Sequence, residues 1–147
     1  MKKVLVVGGG AAGMMAAYFA AKEGAQVTIL EKNKLLGRKI RLTGKGRCNV
    51  TNASDLETII KNIYRNGNFM YSSLYSFTND DLMDLFRSFG LDLKTERGNR
   101  VFPVSDRAID VVRTMEKMLD SQGVKIKTGA RVKSLIIDQA RTKGLVL

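Results

Sequence analysis

Apolar residues along this chain fall into runs whose period changes several times. Val4 to Val7 is a β-branched and leucine run of strand length that stops at Gly8-Gly9-Gly10. From Ala11 to Lys22 alanine, methionine and other helix formers take over, and Gly24 closes the helix. Gln26 to Leu30 is a second strand, finishing at Glu31. Further on, Ser54 and Glu57 have capping-box spacing and predict a helix through about Tyr64, with Leu56, Ile59, Ile60 and Ile63 on one face. The aromatic stretch Phe69 to Phe77 could stack on a base or a flavin, but at helical spacing core packing is the preferred reading. Asn79 is expected to cap a helix whose buried stripe is Leu82, Leu85, Phe86 and Phe89, ended by Gly90. Leu91 to Val104 suggests a hairpin turning at Gly98-Asn99, with Pro103 at an edge or a strand end. Asp106 to Gln122 carries Ile109, Val112, Met115, Met118 and Leu119 at helical spacing and stops at Gly123; Val124–Lys127, Arg131–Asp138 and Gly144–Leu147 are strand-like. The order predicts an α/β fold: a Rossmann-like domain with a parallel sheet, flanking helices and a small β-hairpin or meander. No internal repeat is visible.

The first strand, helix and second strand form one βαβ unit, and Gly8, Gly10 and Gly13 occupy its G-x-G-x-x-G positions. In this pattern the first glycine permits a tight turn, the second admits a pyrophosphate to the backbone, and the third lets helix and strand pack closely. Ala11 and Ala12 open the helix, whose unpaired N–H groups and positive dipole end face the phosphates. Glu31 follows Gly13 by eighteen residues and stands at the carboxyl end of the second strand. Its carboxylate suits the hydroxyls of an adenosine ribose and disfavours a 2′-phosphate, so NADP fits this site poorly.

Composition changes the picture in three ways. The single cysteine, Cys48, excludes an internal disulfide framework and a cysteine-based zinc site, and it reads as a structural thiol. The absence of histidine leaves protein-borne acid–base chemistry poorly supplied, so any reaction falls to a cofactor. Tyr64, Tyr71 and Tyr75 are acids or bases by chemistry alone, and no catalytic residue is assigned. The 25 Lys and Arg against 14 Asp and Glu give a formal charge of +11, which favours anionic partners. Lys2 and Lys3 before Val4–Ala21 superficially resemble a signal peptide, but glycines and alanines make that stretch only weakly apolar. A membrane span is rejected, the expected location is cytoplasmic, and the acceptor patterns at Asn49 and Asn52 are expected to stay unglycosylated.

Positive charge gathers directly after the βαβ unit. Lys32, Lys34, Arg38, Lys39, Arg41, Lys45 and Arg47 lie in a segment with no acidic residue. Asn33 to Asn52 reads as a long connection without regular structure, leaving the strand end where a ligand should lie. Thr43-Gly44-Lys45-Gly46-Arg47-Cys48-Asn49 mixes exposed backbone with hydroxyl, amide and guanidinium donors suited to a polyanion or to the polar edge of a flavin.

The string GRKIRLTGKGRCNVTN, preceded by GGGAAG and ILEKN, resembles the BaiN-like NAD(P)/FAD-dependent oxidoreductases, flavoproteins of the two-dinucleotide-binding-domain superfamily. The match falls on Gly37-Arg38-Lys39 and on Thr43, Gly44, Gly46, Arg47, Cys48, Asn49, Thr51 and Asn52. The resemblance implies FAD as the bound dinucleotide and NAD(P)H as electron donor to an organic small-molecule substrate. It places Glu31, with Lys32 beside it, on the adenosine ribose, Arg38 and Lys39 near the pyrophosphate, Thr43 to Asn49 along the approach to the isoalloxazine, and the backbone of Val132 against the adenine. Positive groups such as Arg47 would then stabilise the reduced, anionic ring. Family members are two to three times longer, so this chain reads as an N-terminal fragment of the FAD-binding domain. The competing class is a non-catalytic basic module that grips nucleic acid through Arg38 to Arg47. The lack of aromatic residues among those cations counts against it, and a nucleic-acid partner is not expected.

Overall fold

β1 (Lys3–Val7) and β2 (Gln26–Glu31) pair in parallel, Lys3 opposite Gln26 and Val7 opposite Leu30. The crossover between them is α1 (Ala11–Lys22), as parallel neighbours require. This computed structural model describes every residue from Met1 to Leu147 and divides into two units, Met1–Lys39 with Met115–Leu147, and Ile40–Thr114.

In the first unit β6 (Lys125–Thr128) joins β2 in parallel, giving the strand order β1-β2-β6. Met14, Ala17 and Tyr18 of α1 are buried, as are Val27, Ile29 and Leu30 of β2. The fingerprint unit therefore folds in the predicted order, within one residue at each strand. A separate hairpin follows, with β7 (Ser134–Asp138) antiparallel to β8 (Arg141–Val146). The sequence suggests strand character starting at Arg131 and resuming only at Gly144. The hairpin is tighter because Gln139 and Ala140 both adopt positive φ, the two-residue turn whose twist matches that of paired strands.

In the second unit a small antiparallel sheet has the order β3-β5-β4: β3 (Thr51–Asn52), β5 (Arg100–Pro103) and β4 (Leu93–Glu96). The expected Gly98-Asn99 turn joins the last two, and Pro103 ends the central strand rather than marking an edge. Two cap assignments move by one residue. α2 (Leu56–Lys61) is capped by Asp55, whose carboxylate accepts from the Thr58 N–H at 2.8 Å and the Thr58 hydroxyl at 2.7 Å; it starts later and stops sooner than the Ser54 reading implies. A carboxylate is the stronger acceptor for those donors. α4 (Asn79–Ser88) is capped by Thr78 in a capping box with Asp81. Asn79 is the first helical residue instead. Its buried amide donates to the carbonyls of Asn52 at 2.9 Å and Ser54 at 3.1 Å, which fastens α4 to β3.

Met83 and Phe86 are the buried apolar residues of α4, whereas Leu82, Leu85 and Phe89 are half-buried. The aromatic stretch departs furthest from expectation: Phe69 is 83% exposed, and Tyr71 and Tyr75 of α3 (Tyr71–Ser76) lie at the surface. Those two rings stack at 4.5 Å, and both hydroxyls donate to Glu57 Oε1, at 3.2 and 2.9 Å. With only six residues, α3 is too short to turn a full apolar face inward, so the rings satisfy one another outside. α5 (Ala108–Ser121) behaves as its pattern predicts, burying Val112, Met115, Met118 and Leu119, although Ile109 is only half-buried. No helix is long and apolar enough to cross a membrane.

Candidate functional site: a glycine turn, a buried carboxylate and a basic loop

The turn of the first unit is built from backbone. Gly8 leaves β1 with φ +99, and its N–H still donates to the Leu30 carbonyl at 2.8 Å, so the sheet is held up to the bend. A Cβ at Gly13 would lie 2.0 Å from the Gly8 carbonyl oxygen, which makes glycine obligatory where helix and strand touch. Gly10 is the N-cap of α1, offers no side-chain acceptor, and a Cβ there would meet nothing within 4 Å. The amides of Ala11, Ala12 and Gly13 thus have no intrahelical acceptor, the arrangement that binds phosphate.

Glu31 stands beside this turn, 7% exposed, and its carboxylate is already engaged. Oε2 accepts from the Gly9 N–H at 2.7 Å, and Oε1 accepts from the Asn33 N–H at 2.8 Å and from the Asn33 amide at 2.5 Å. Burial raises the carboxyl pKa, but the Asn33 and Gly9 donors and the charge of Lys32 outweigh it and hold the group below the usual glutamate range. Both lone pairs of Oε1 are used, whereas Oε2 accepts one hydrogen bond and keeps one acceptor position unfilled. The sequence reading gave this acid a ribose. The structure adds a second duty, tying the glycine turn to the end of β2.

Asn33, which the pattern of motifs did not single out, is the residue that fixes the carboxylate. Arg38 reaches its Oδ1 at 3.5 Å, a long contact. Gly37 N–H donates to the Gly9 carbonyl at 2.8 Å, so the Gly9 peptide is held on both sides. A Cβ at Gly9 would fall 2.2 Å from Leu36 Cδ2. Ala130 N–H donates to the Glu31 carbonyl at 2.9 Å and Gly129 N–H to the Asn33 carbonyl at 3.1 Å, which ties the segment after β6 to this strand end; Val132, two residues further on, is half-buried. The advance signals for Asn33 are its place at the end of ILEKN and a short amide two positions after the acid.

The basic loop belongs to the second unit. Ile40–Gly46 is a 3-10 segment broken at Thr43, and Gly44, Lys45, Gly46 and Cys48 all have positive φ. Its polar side chains are largely spent on the protein itself. Thr43 Oγ1 donates to the Ile40 carbonyl at 2.8 Å, and the Asn49 amide, in the orientation that satisfies it, donates to the carbonyls of Thr51 at 2.9 Å and Val101 at 3.2 Å. A Cβ at Gly44 would sit 3.0 Å from the Asn49 nitrogen and 3.1 Å from the Phe102 ring. Cys48 is buried, and burial pushes its thiol pKa up against a weaker opposing bond to Thr43, the behaviour of a structural thiol rather than a reactive one.

Arg47 is committed most firmly. Nη1 pairs with Glu96 Oε1 at 2.9 Å and Asp106 Oδ1 at 3.2 Å, and the guanidinium lies 4.1 Å from the centre of the Phe102 ring. Lys94 closes the network onto Asp106 at 2.5 Å. The bond to Glu96 raises the Arg47 pKa most, and Lys94 foremost lowers that of Asp106. Arg41 differs: its Nε is buried and has no hydrogen-bond partner. Lys32, Arg38, Lys39 and Lys45 are exposed. No group of acidic or cysteine side chains is arranged to hold a metal ion.

The family model described as the HI0933-like protein Rossmann domain matches residues 2–147. A 3-dehydro-bile acid delta(4,6)-reductase of Clostridium scindens is 38% identical over all of this chain and 35% of its own length. A ribosomal RNA dihydrouridine synthase of Haemophilus influenzae is 32% identical over 83% of this chain and 30% of its own length. The chain thus spans about a third of the curated relatives it matches. Among solved structures, Thermovibrio ammonificans THI4 superposes with a TM-score of 0.66 over 98% of this chain and 46% of that one, at 17% identity, a likeness of fold. The resemblance carried by GRKIRLTGKGRCNVTN is borne out, as is the Rossmann-like fold.

Proposed function

Because this chain belongs to the HI0933-like protein Rossmann-domain family, we propose that it is the nucleotide-binding portion of a flavin-dependent oxidoreductase that takes FAD. The observation that carries this reading is the pairing of an uncapped α1 N-terminus, open in front of Gly10, with a buried carboxylate hydrogen-bonded to the same glycine turn. Gly8, Gly10, Ala11, Ala12 and Gly13 would receive the pyrophosphate on backbone amides and the helix dipole. Glu31 would accept a ribose hydroxyl on Oε2, with the backbone near Val132 bordering the adenine. A 2′-phosphate would meet a buried negative charge, which favours FAD over an NADP-type ligand here. By its resemblance to the family motif, the loop from Thr43 to Asn49 would line the approach to the flavin ring.

FAD supplies the hydride chemistry, with NAD(P)H as electron donor and an organic small molecule as acceptor. The chain's own contribution is to bind and orient. No histidine is present and the Cys48 thiol is held protonated, so the residues here position the nucleotide rather than move protons. The reductase activity in the name of the Clostridium scindens relative supports an organic acceptor.

Denaturing the purified chain and identifying the released nucleotide by mass tests the reading, with FAD expected. A protein that carries no nucleotide and takes up none from added FAD would overturn it. Glu31→Ala should weaken FAD binding by about 1–3 kcal/mol, the scale of a hydrogen bond to a charged group. Unchanged affinity would remove Glu31 from the site.

A further inference from the structure

Beside α2 the surface holds a cleft of about 660 Å3, within the range of roughly 300–1,000 Å3 typical of small-molecule sites. Every residue that lines it lies between Glu57 and Tyr71, inside the second unit. The chain folds back tightly here, since a Cβ at Gly67 would fall 2.5 Å from the Ile60 carbonyl oxygen. Two aromatic rings line the cleft, Phe69 and Tyr71, 83% and 46% exposed, and Tyr75 stacks on Tyr71. Exposed aromatic rings gathered in one patch mark a binding surface. Core packing therefore gives way to the other reading of this stretch, stacking on a planar ligand. Glu57 lines the same cleft. Its Oε1 accepts both tyrosine hydroxyls, and no lysine or arginine pairs with its carboxylate in a chain of formal charge +11. Lys61, Asn66 and Asn68, all exposed, complete the polar lining.

The mixture of groups selects the ligand. A hydrocarbon would leave the charges and amides unmatched, an organic cation would meet Lys61, and a simple anion would meet Glu57. A flavin edge, with carbonyls on either side of its N–H, would turn acceptors toward a carboxylate. A base with an exocyclic amino group, carried on a phosphorylated sugar, answers every lining group at once. We propose that this cleft binds a single nucleotide with an amino-bearing base, its ring against Phe69 and Tyr71, its amino group on Glu57 and its phosphate on Lys61. Ring stacking on aromatic side chains supplies affinity whatever the base, and the carboxylate supplies the preference for an amino group. The cleft shares no residue with the proposed FAD site, so this assignment stands or falls apart from that one.

The test is calorimetric titration of this chain with AMP and with purine riboside 5′-monophosphate, which differs only in lacking the amino group. AMP should bind about tenfold more tightly, the scale of a hydrogen bond to a charged group. Glu57→Ala should bring AMP down to the affinity of the analogue. Phe69→Ala, which removes an exposed ring and leaves the fold intact by thermal melting, should weaken both ligands about tenfold. Adenosine should bind more weakly than AMP, and Lys61→Gln should erase that difference. Equal binding of AMP and its amino-free analogue would overturn the assignment, as would parental affinity in Phe69→Ala or a phosphate preference that survives Lys61→Gln. AMP binding that is lost in Glu31→Ala and kept in Phe69→Ala would place the nucleotide at the glycine turn, which overturns this assignment and leaves the proposed function standing. Oligoadenylate that binds far more tightly than AMP, with affinity falling steeply as salt rises, would overturn the single nucleotide in favour of a strand.

Discussion

The glycine turn and the basic loop are both glycine-rich segments that bend sharply beside a charged residue, and they use that residue in opposite ways. At the turn, Glu31 is buried and its partners are backbone and amide donors of Gly9, inside the βαβ unit, and of Asn33, two residues past its second strand. In the loop, Arg47 finds its partners forty-nine and fifty-nine positions away, at Glu96 and Asp106. The first charge shapes the turn and has one acceptor position unfilled. The second is neutralised by the protein. A charged residue in a recognised motif therefore has a legible role when its partners are local, because the same motif fixes them. When its partners come from distant strands, residue type alone does not say whether the charge faces a ligand or an internal counter-ion.

The contrast can be broken most forcefully at Gly13. Gly13→Ala would drive a methyl group toward the Gly8 carbonyl oxygen, 2.0 Å from the ideal Cβ, and that obstacle is backbone rather than the end of a flexible side chain. A loss of about 3 kcal/mol in denaturant unfolding is expected, the upper part of the overpacking range. A cost near that of an exposed helix position would show that the turn is looser than described.

Glu31→Gln comes next, at about 2 kcal/mol, because the Gly9 and Asn33 donors lose a charged acceptor. The pH dependence sharpens the point. The folded Glu31 pKa lies below the ordinary 4.5, so the unfolded chain takes up this proton first as pH falls. Its stabilisation is therefore complete above that value and is lost as acidity carries the solution down through the folded pKa. Urea unfolding of the parent chain from pH 6 to pH 3 should show this slope, and Glu31→Gln should flatten it. Parallel curves for the two proteins would remove Glu31 as a source.

Asn33→Ala should cost about 1 kcal/mol and raise the acid limb of the same curve, since two of the three donors that depress the Glu31 pKa belong to Asn33 and the substitution removes its side-chain amide. The smallest effect concerns Cys48. With its thiol buried and its pKa raised, alkylation by iodoacetamide at neutral pH should be slow in the folded chain and fast in urea. Rapid labelling of the folded protein would show that the thiol is reactive rather than structural.

Much of the fold was legible along the chain, for definable reasons. β1, α1 and β2 were found because hydrophobic period, glycine breaks and the terminal acid agree over one continuous stretch. α5 was found because its apolar residues recur over four turns. The capping residues of α2 and α4 were misplaced by one position, since Ser54, Asp55, Thr78 and Asn79 are all good caps and the three-dimensional path of the chain chooses among them. β3 was missed because two residues carry no period; Thr51 and Asn52 form a strand only because β5 is there to receive them. The aromatic stretch was assigned to the core from composition, and the brevity of α3 left its rings outside.

By itself the sequence determined the βαβ unit, its glycine bend, the acid at the strand end and membership of a family with a flavin-type motif. These depend on neighbours in the chain, where backbone sterics and hydrophobic period act directly. Only the tertiary structure decided that Glu31 is held by Gly9 and Asn33, that Arg47 is spent on Glu96, Asp106 and Phe102, and that Arg41 keeps an unpaired donor. Electrostatic partnership depends on distance in space, and residues far apart along the chain become partners only when strands such as β4 and β5 bring them together.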